Sequence, residues 1–188
     1  PQLNRIISLV TGVKPVLYMS LHTLKSTARA WHQDEYFSYG RTQGSSFAVW
    51  IALDDITPQM GPYLFLPGSH KYPILDMSKL FNYLSDSREY IIGKNIEDRF
   101  TYAAAVTAPA YEMATATDQS YPLMYLPRKG DLFLWHSRLL HRALPPFASN
   151  ISRPGLIGHY CALNDLPVDQ QKQLQTRSNL YYAEATNK

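Results

Sequence analysis

The chain is cut into short apolar runs by turn-forming residues, and this punctuation limits its folds more than any other feature. Thirteen prolines and nine glycines are spread through 188 residues, most of them between those runs. Brief apolar segments bounded by Pro, Gly, Asn and Asp read as strands, whereas a helical bundle needs longer uninterrupted periods. VLYMSLHTL (16–24) alternates bulky with small or polar residues, and SSFAVWIALDD (45–55) is almost continuously apolar, the pattern of a strand buried on both faces. YLFLP (63–67), LMYLP (123–127), LFLWHS (132–137), LLHRAL (139–144) and GLIGHYCAL (155–163) complete the set. Turn chemistry separates them at TPQMGP (57–62), PGSHK (67–71) and RKGD (128–131), where His70 is expected to fix its turn by hydrogen bonding. Six or more short strands predict an all-β dominated sandwich or barrel.

Helical signal is scarce. In DMSKLFNYLSDS (76–87), Met77, Leu80, Phe81 and Leu84 follow the i, i+3, i+4, i+7 spacing of a short amphipathic helix with Asp76 as N-cap. Residues 88–120 show no clear period, and 72–120 as a whole reads as an insertion or lid. The tail, 164–188, is polar with weak helical character. The β-core is placed at about 16–163 within a single domain covering 1–188.

Composition narrows the partners. Eighteen Lys and Arg against 15 Asp and Glu give a formal charge of +3 with no basic run, so nothing points to nucleic acid or an anionic membrane. A small-molecule partner is expected, and nothing in the sequence sets the oligomeric state. No apolar run approaches the roughly 18 residues that cross a bilayer, and the first residues lack a signal-peptide pattern, so a soluble, cytoplasmic protein is expected. Pro1 rather than Met opens the chain, as in an incomplete or trimmed sequence. A lone cysteine, Cys161, excludes an internal disulfide and a Cys-rich zinc cluster. Any metal must therefore rest on His and carboxylate.

The sharpest candidate is His32-Gln33-Asp34. In an extended segment residues i and i+2 share a face, so the imidazole and the carboxylate can serve one cation while Gln33 turns away. Alone, such a triplet fits a surface or capping pair equally well. His141 lies 107 residues after Asp34 in a β-like run, and Arg153 follows twelve later across a loop. Two His and one carboxylate form the facial set of non-haem Fe(II) oxygenases, and a nearby Arg can hold the far carboxylate of a dicarboxylic cosubstrate by paired hydrogen bonds. A zinc hydrolase with a metal-bound water is the competing use of the same ligands, and it leaves Arg153 without a task.

The stretches WHQDEYF, AVWIALDDITPQMGPYLFLPGSHK, KGDLFLWHSRLLHRA and SRPGLIGHY, in that order, resemble the phytanoyl-CoA dioxygenase family of Fe(II)- and 2-oxoglutarate-dependent oxygenases over residues 16 to 163. The resemblance implies a double-stranded β-helix, the cupin-like jelly roll, with a few flanking helices. It makes His32, Asp34 and His141 the iron ligands, Arg153 the anchor for 2-oxoglutarate, and Trp50 a neighbour of that cosubstrate. The cofactors implied are Fe(II), 2-oxoglutarate and O2. The activity implied is hydroxylation of a small molecule with release of succinate and CO2, because family members that halogenate carry a small residue where this chain keeps Asp34. A catalytically silent jelly-roll module for binding or sensing is the alternative.

Departures from the family pattern matter as well. Pro154 cannot donate in a ladder, so the strand must begin at Gly155 and leave Arg153 hanging from its end with looser geometry. Ala143 stands where some members carry a hydroxyl residue that helps hold the cosubstrate. The family's N-terminal helical region is mostly missing, so the chain is expected to be the catalytic β-core of a longer oxygenase. His136 competes with His141 but is expected to be structural, and Arg142 is expected to face solvent or a salt bridge. His159 cannot be placed by alternation across the preceding loop. Substrate contacts are expected from the insertion and from the loop after Asp34, with Tyr36, Tyr39, Arg41 and Arg138 as candidates.

Overall fold

A computed structural model of the chain describes residues 2–37, 42, 44–73, 99–117, 121–166, 175–177 and 180–182. Among them the strands are β1 (Pro15–Thr23), β2 (Ser46–Ala52), β3 (Tyr63–Phe65), β4 (Leu123–Tyr125), β5 (Leu132–His136), β6 (His141–Ala143), β7 (Gly155–Ala162), β8 (Gln175–Arg177) and β9 (Leu180–Tyr182). The helices are α1 (Gln2–Thr11) and α2 (Arg99–Thr117). The strands form a six-stranded sheet in the order β5-β2-β7-β1-β9-β8 and a three-stranded sheet in the order β4-β3-β6. All pairings are antiparallel except β1 with β9.

The apolar run at β2 becomes an interior strand of the large sheet, between β5 and β7, and both of its faces are covered. One face carries Ala48, Trp50 and Ala52 into the space between the sheets, where they meet Tyr63, Trp135, Met60 and Ala143. The other face sends Val49 against Ile7 of α1 and Tyr160 of β7. Alternation along β2 and β7 therefore sorts side chains between an inter-sheet interior and an outer layer covered by α1.

Two glycines are imposed by close approach. A Cβ on Gly155 would lie 2.2 Å from Trp50 Nε1, so the indole fits over β7 only where there is no side chain. Gly61 has φ +73°, and a Cβ there would sit 2.3 Å from the Leu144 carbonyl.

Several expectations are corrected. The unpatterned stretch 101–120 is largely helical, as α2, even with Pro109 inside it. The tail holds two short strands, β8 and β9, where weak helix was expected. The extended segment expected at His32-Gln33-Asp34 is reduced to one antiparallel bridge of His32 with His141, and a 3₁₀ turn begins at Asp34. Helix 76–87 falls outside the described residues. β7 begins at Gly155, directly after Pro154, as expected. No helix among the described residues is long and apolar enough to cross a membrane.

Candidate metal centre

His32 and His141 enter the site as one hydrogen-bonded backbone pair, His32 N–H to His141 O at 3.0 Å and His141 N–H to His32 O at 3.1 Å. The two rings lie with centroids 4.2 Å apart. Each imidazole donates its Nδ1–H to the carbonyl two residues earlier, His32 to Ala30 at 2.8 Å and His141 to Leu139 at 2.9 Å. That orients the rings and turns both Nε2 atoms inward, toward Asp34. Asp34 Oδ1 lies 3.5 Å from His32 Nε2 and 3.7 Å from His141 Nε2. The 3₁₀ turn Asp34–Phe37 presents this carboxylate, a different local cause from the strand alternation that the sequence suggested.

The second oxygen of Asp34 is held by Trp135, whose Nε1–H donates to Oδ2 at 2.8 Å. One carboxylate oxygen is thus committed to the protein and the other is left between the imidazoles. All three side chains are buried, and their ligand atoms lie within 4.8 Å of one another. Burial alone would raise the Asp34 carboxyl, but His141 and His32 reverse it and hold the group well below the usual carboxylate range. Burial lowers His141 to about 4, with His32 adding to the shift and Asp34 opposing it, so this imidazole is neutral at pH 7. A carboxylate at Asp34 and a neutral imidazole at His141 are protonation states that suit a divalent cation.

Arg153 is wholly buried. Its backbone N–H donates to Leu24 O at 2.8 Å and its Nη1 to Gly61 O at 2.9 Å, so the expected looseness at the strand end is absent. The guanidinium carbon sits 4.3 Å from the Tyr63 ring centroid and 5.5 Å from that of Trp50. Tyr63 in turn lies 6.3 Å from the His141 ring. Arg153 Nε and Nη2 and Trp50 Nε1 are buried with no hydrogen-bond partner. Three unspent donors in one apolar space are costly unless an acceptor comes to them.

The other sequence candidates fall elsewhere. Arg138 spends its Nη2 on the Tyr72 carbonyl and its own carbonyl on Gln33. Tyr39 and Arg41 lie outside the described residues, as does the side chain of Tyr36, whose backbone belongs to the 3₁₀ turn. His136 stays outside the set, 5.9 Å ring to ring from His70 and 5.5 Å from Phe47. The turn expected of His70 is fixed by Ser69, whose hydroxyl donates to Leu66 O and accepts from Leu140 N–H. Arg142 makes the expected ion pair, with Glu112 at 3.3 Å. His159 lies across from Ala48 on the interior face of the large sheet, where burial lowers its pKa against the pull of Asp34. Trp135 and Tyr63 were not singled out as site residues. Their inward positions on β5 and β3 were the available signal.

A family model described as phytanoyl-CoA dioxygenase matches residues 16–154. The chain belongs to that family. Within it, a 74-residue stretch, 37% of this chain, is 31% identical to phytanoyl-CoA dioxygenase domain-containing protein 1 of Danio rerio and spans 25% of that protein's length. Solved structures share the fold at lower identity. The non-haem α-ketoglutarate-dependent epimerase SnoN from nogalamycin biosynthesis superposes with a TM-score of 0.62 and 19% identity, over 97% of this chain and 69% of its own. The carbocyclase SnoK from the same biosynthesis gives 0.58 and 20%, over 86% and 55%. EctD from S. alaskensis, solved with bound Fe, gives 0.57 and 16%, over 87% and 50%. The jelly-roll expectation is borne out by this likeness.

Proposed function

We propose that the protein is a non-haem Fe(II)- and 2-oxoglutarate-dependent oxygenase that oxidises a C–H bond of a small molecule, with hydroxylation as the outcome. The observation that carries this reading is the buried Arg153, with two unspent donors, in the same inter-sheet interior as the His-Asp-His set. His32, Asp34 and His141 would hold the iron, and their donor types and burial, with His141 held neutral, fit it. When bound, iron and 2-oxoglutarate supply the O2-dependent oxidising power, with succinate and CO2 as the cosubstrate's products. Trp135 keeps Asp34 turned toward the two imidazoles. Arg153 offers Nε and Nη2 to the distal carboxylate of 2-oxoglutarate, and Trp50 Nε1–H is a further donor beside it. Tyr63, Phe133 and Trp135 wall the interior and exclude water from the reacting groups. SnoN has been solved with Fe3+, α-ketoglutarate and nogalamycin RO, which supports the cofactor pair and a small-molecule substrate for this fold.

The test is anaerobic addition of Fe(II) and then 2-oxoglutarate, followed by a screen of small molecules for succinate release in air. A metal-to-ligand charge-transfer band on adding 2-oxoglutarate is expected, and its absence would overturn the reading. Product mass separates the outcomes. Gain of one oxygen marks hydroxylation, loss of two hydrogens a cyclisation of the SnoK kind, and unchanged mass an epimerisation.

A further inference from the structure

The residues that flank the candidate ligands are gripped from outside by one helix, and we propose that α2 is a strap that sets the metal ligands, with Tyr111 as its positioning residue. The proposal rests on the reading of His32, Asp34 and His141 as metal ligands.

Tyr111 packs in a buried cluster with Trp31, Leu66 and Leu140. Trp31 precedes His32 and Leu140 precedes His141, so the cluster that holds the phenol ring includes the residue before each imidazole ligand. Its hydroxyl donates to Gln33 Oε1 at 2.8 Å. Gln33 lies between His32 and Asp34, is 1% exposed, and donates its Nε2 to Arg138 O at 2.7 Å. Both ends of that amide are therefore occupied, which locks the side chain that lies between two ligands. The next residue of the helix, Glu112, pairs with Arg142 at 3.3 Å, and Arg142 follows His141 and lies over the Trp31 ring at 5.8 Å. Two successive residues of α2 thus reach both ligand-bearing segments.

Those segments need outside support. His32 and Asp34 belong to no ladder; the bridge with His141, the Ala143 N–H to Arg29 O bond at 3.1 Å and the Glu35 N–H to Ser137 O bond at 3.1 Å are the backbone ties of their segment to its neighbours. Removing the phenol hydroxyl leaves Gln33 Oε1 buried and unpaired, and the amide can recover an acceptor role only by turning and dragging the ligand backbone with it. Loss of such outer support lowers metal affinity by about 10–100-fold in metalloproteins. The coupling must also run in reverse, so a bound metal must steady α2 by the same factor.

The test uses Co(II) as the probe, titrated anaerobically and read by its d–d absorption, together with amide hydrogen exchange over 107–117 with and without Co(II). Tyr111→Phe is expected to bind Co(II) about 10-fold or more weakly, with altered band intensities. Met113→Ala, at a position 70% exposed on the same helix, is expected to match the wild type. In the wild type, Co(II) is expected to slow exchange in α2. Unchanged affinity and band shape in Tyr111→Phe overturns the proposal, and so does the absence of Co(II)-dependent protection in wild-type α2, a measurement that stands even if the variant does not fold. If the wild type binds no Co(II), the metal-site reading falls and takes the strap with it. If it binds Co(II) with neither effect, only the strap falls.

Discussion

Arg153 is the residue where stability and function pull apart. Burial disfavours its charge and lowers its pKa, with Tyr63 opposing, and two of its donors are unspent. A nearly isosteric, uncharged Arg153→Met variant removes both the desolvated charge and the anion site. Its urea midpoint is expected to stay level or rise, while 2-oxoglutarate affinity falls by about 100-fold and Fe(II) affinity barely changes. Anaerobic titration of metal and cosubstrate separately checks the split, and equal losses of both would count against the anchor role. Gly155 is the complementary case. An Ala Cβ would lie 2.2 Å from Trp50 Nε1, so the indole must leave its place over β7. Gly155→Ala is expected to cost about 1–3 kcal/mol and to weaken 2-oxoglutarate binding through the displaced Trp50. Denaturation melts and near-ultraviolet circular dichroism report both. His32, Asp34, His141 and Arg153 drew attention in the sequence by residue type and spacing, whereas Trp50 was named only through the family resemblance. Trp135 and Tyr63 were not legible, since an aromatic on an inward strand position reads as packing until its partner is known.

At the scale of elements, legibility follows pattern strength. β2 and β7 announced themselves through apolar runs with defined ends, and Pro154 correctly marked where β7 starts. α2 did not, because RFTYAAAVTAPAYEMATAT places its Ala and Thr around the helix without an apolar stripe and carries Pro109. What holds its C-terminal half is tertiary, through Tyr111 and Glu112, and no local window contains that information. The 3₁₀ turn Ser69–Lys71 makes the same point on a smaller scale. His70 drew attention by its chemistry, yet Ser69 ties the turn to the residue before His141, accepting from Leu140 N–H at 2.8 Å with its hydroxyl fully buried. Ser69→Ala leaves that amide unsatisfied and is expected to destabilise the protein by about 2 kcal/mol. His70→Ala, at a half-buried ring, is expected to cost less than about 0.5 kcal/mol. A larger loss for His70→Ala than for Ser69→Ala in urea melts would reverse the assignment.

The whole molecule places its acid-sensitive groups between and beside the two sheets, and this gives its stability a definite dependence on pH. Burial lowers His141 to about 4 and also lowers His159 and His136, with carboxylates opposing in each case. Between that value and the ordinary His pKa of about 6.5, the unfolded chain binds a proton at residue 141 that the folded chain refuses. Stability then rises with pH across this window and is lost as pH falls through it. Asp34 adds nothing in the same range, because its folded carboxyl stays ionised to still lower pH and its contribution disappears only below the window. The metal-free protein, kept in chelator, is therefore expected to lose about 3 kcal/mol from His141 alone between pH 6.5 and 4, with His159 and His136 adding in the same direction. His141→Gln should flatten the slope. A divalent ion should raise stability at neutral pH and steepen its fall in acid, because protons must then displace the ion from the same nitrogen. Urea melts from pH 7.5 to 4.5, with and without Co(II), test both statements. A metal-free curve that is level from 6.5 to 4.5 would mean that His141 is not held neutral by the fold, and the inward Nε2 lone pair that the candidate site depends on would lose its physical basis.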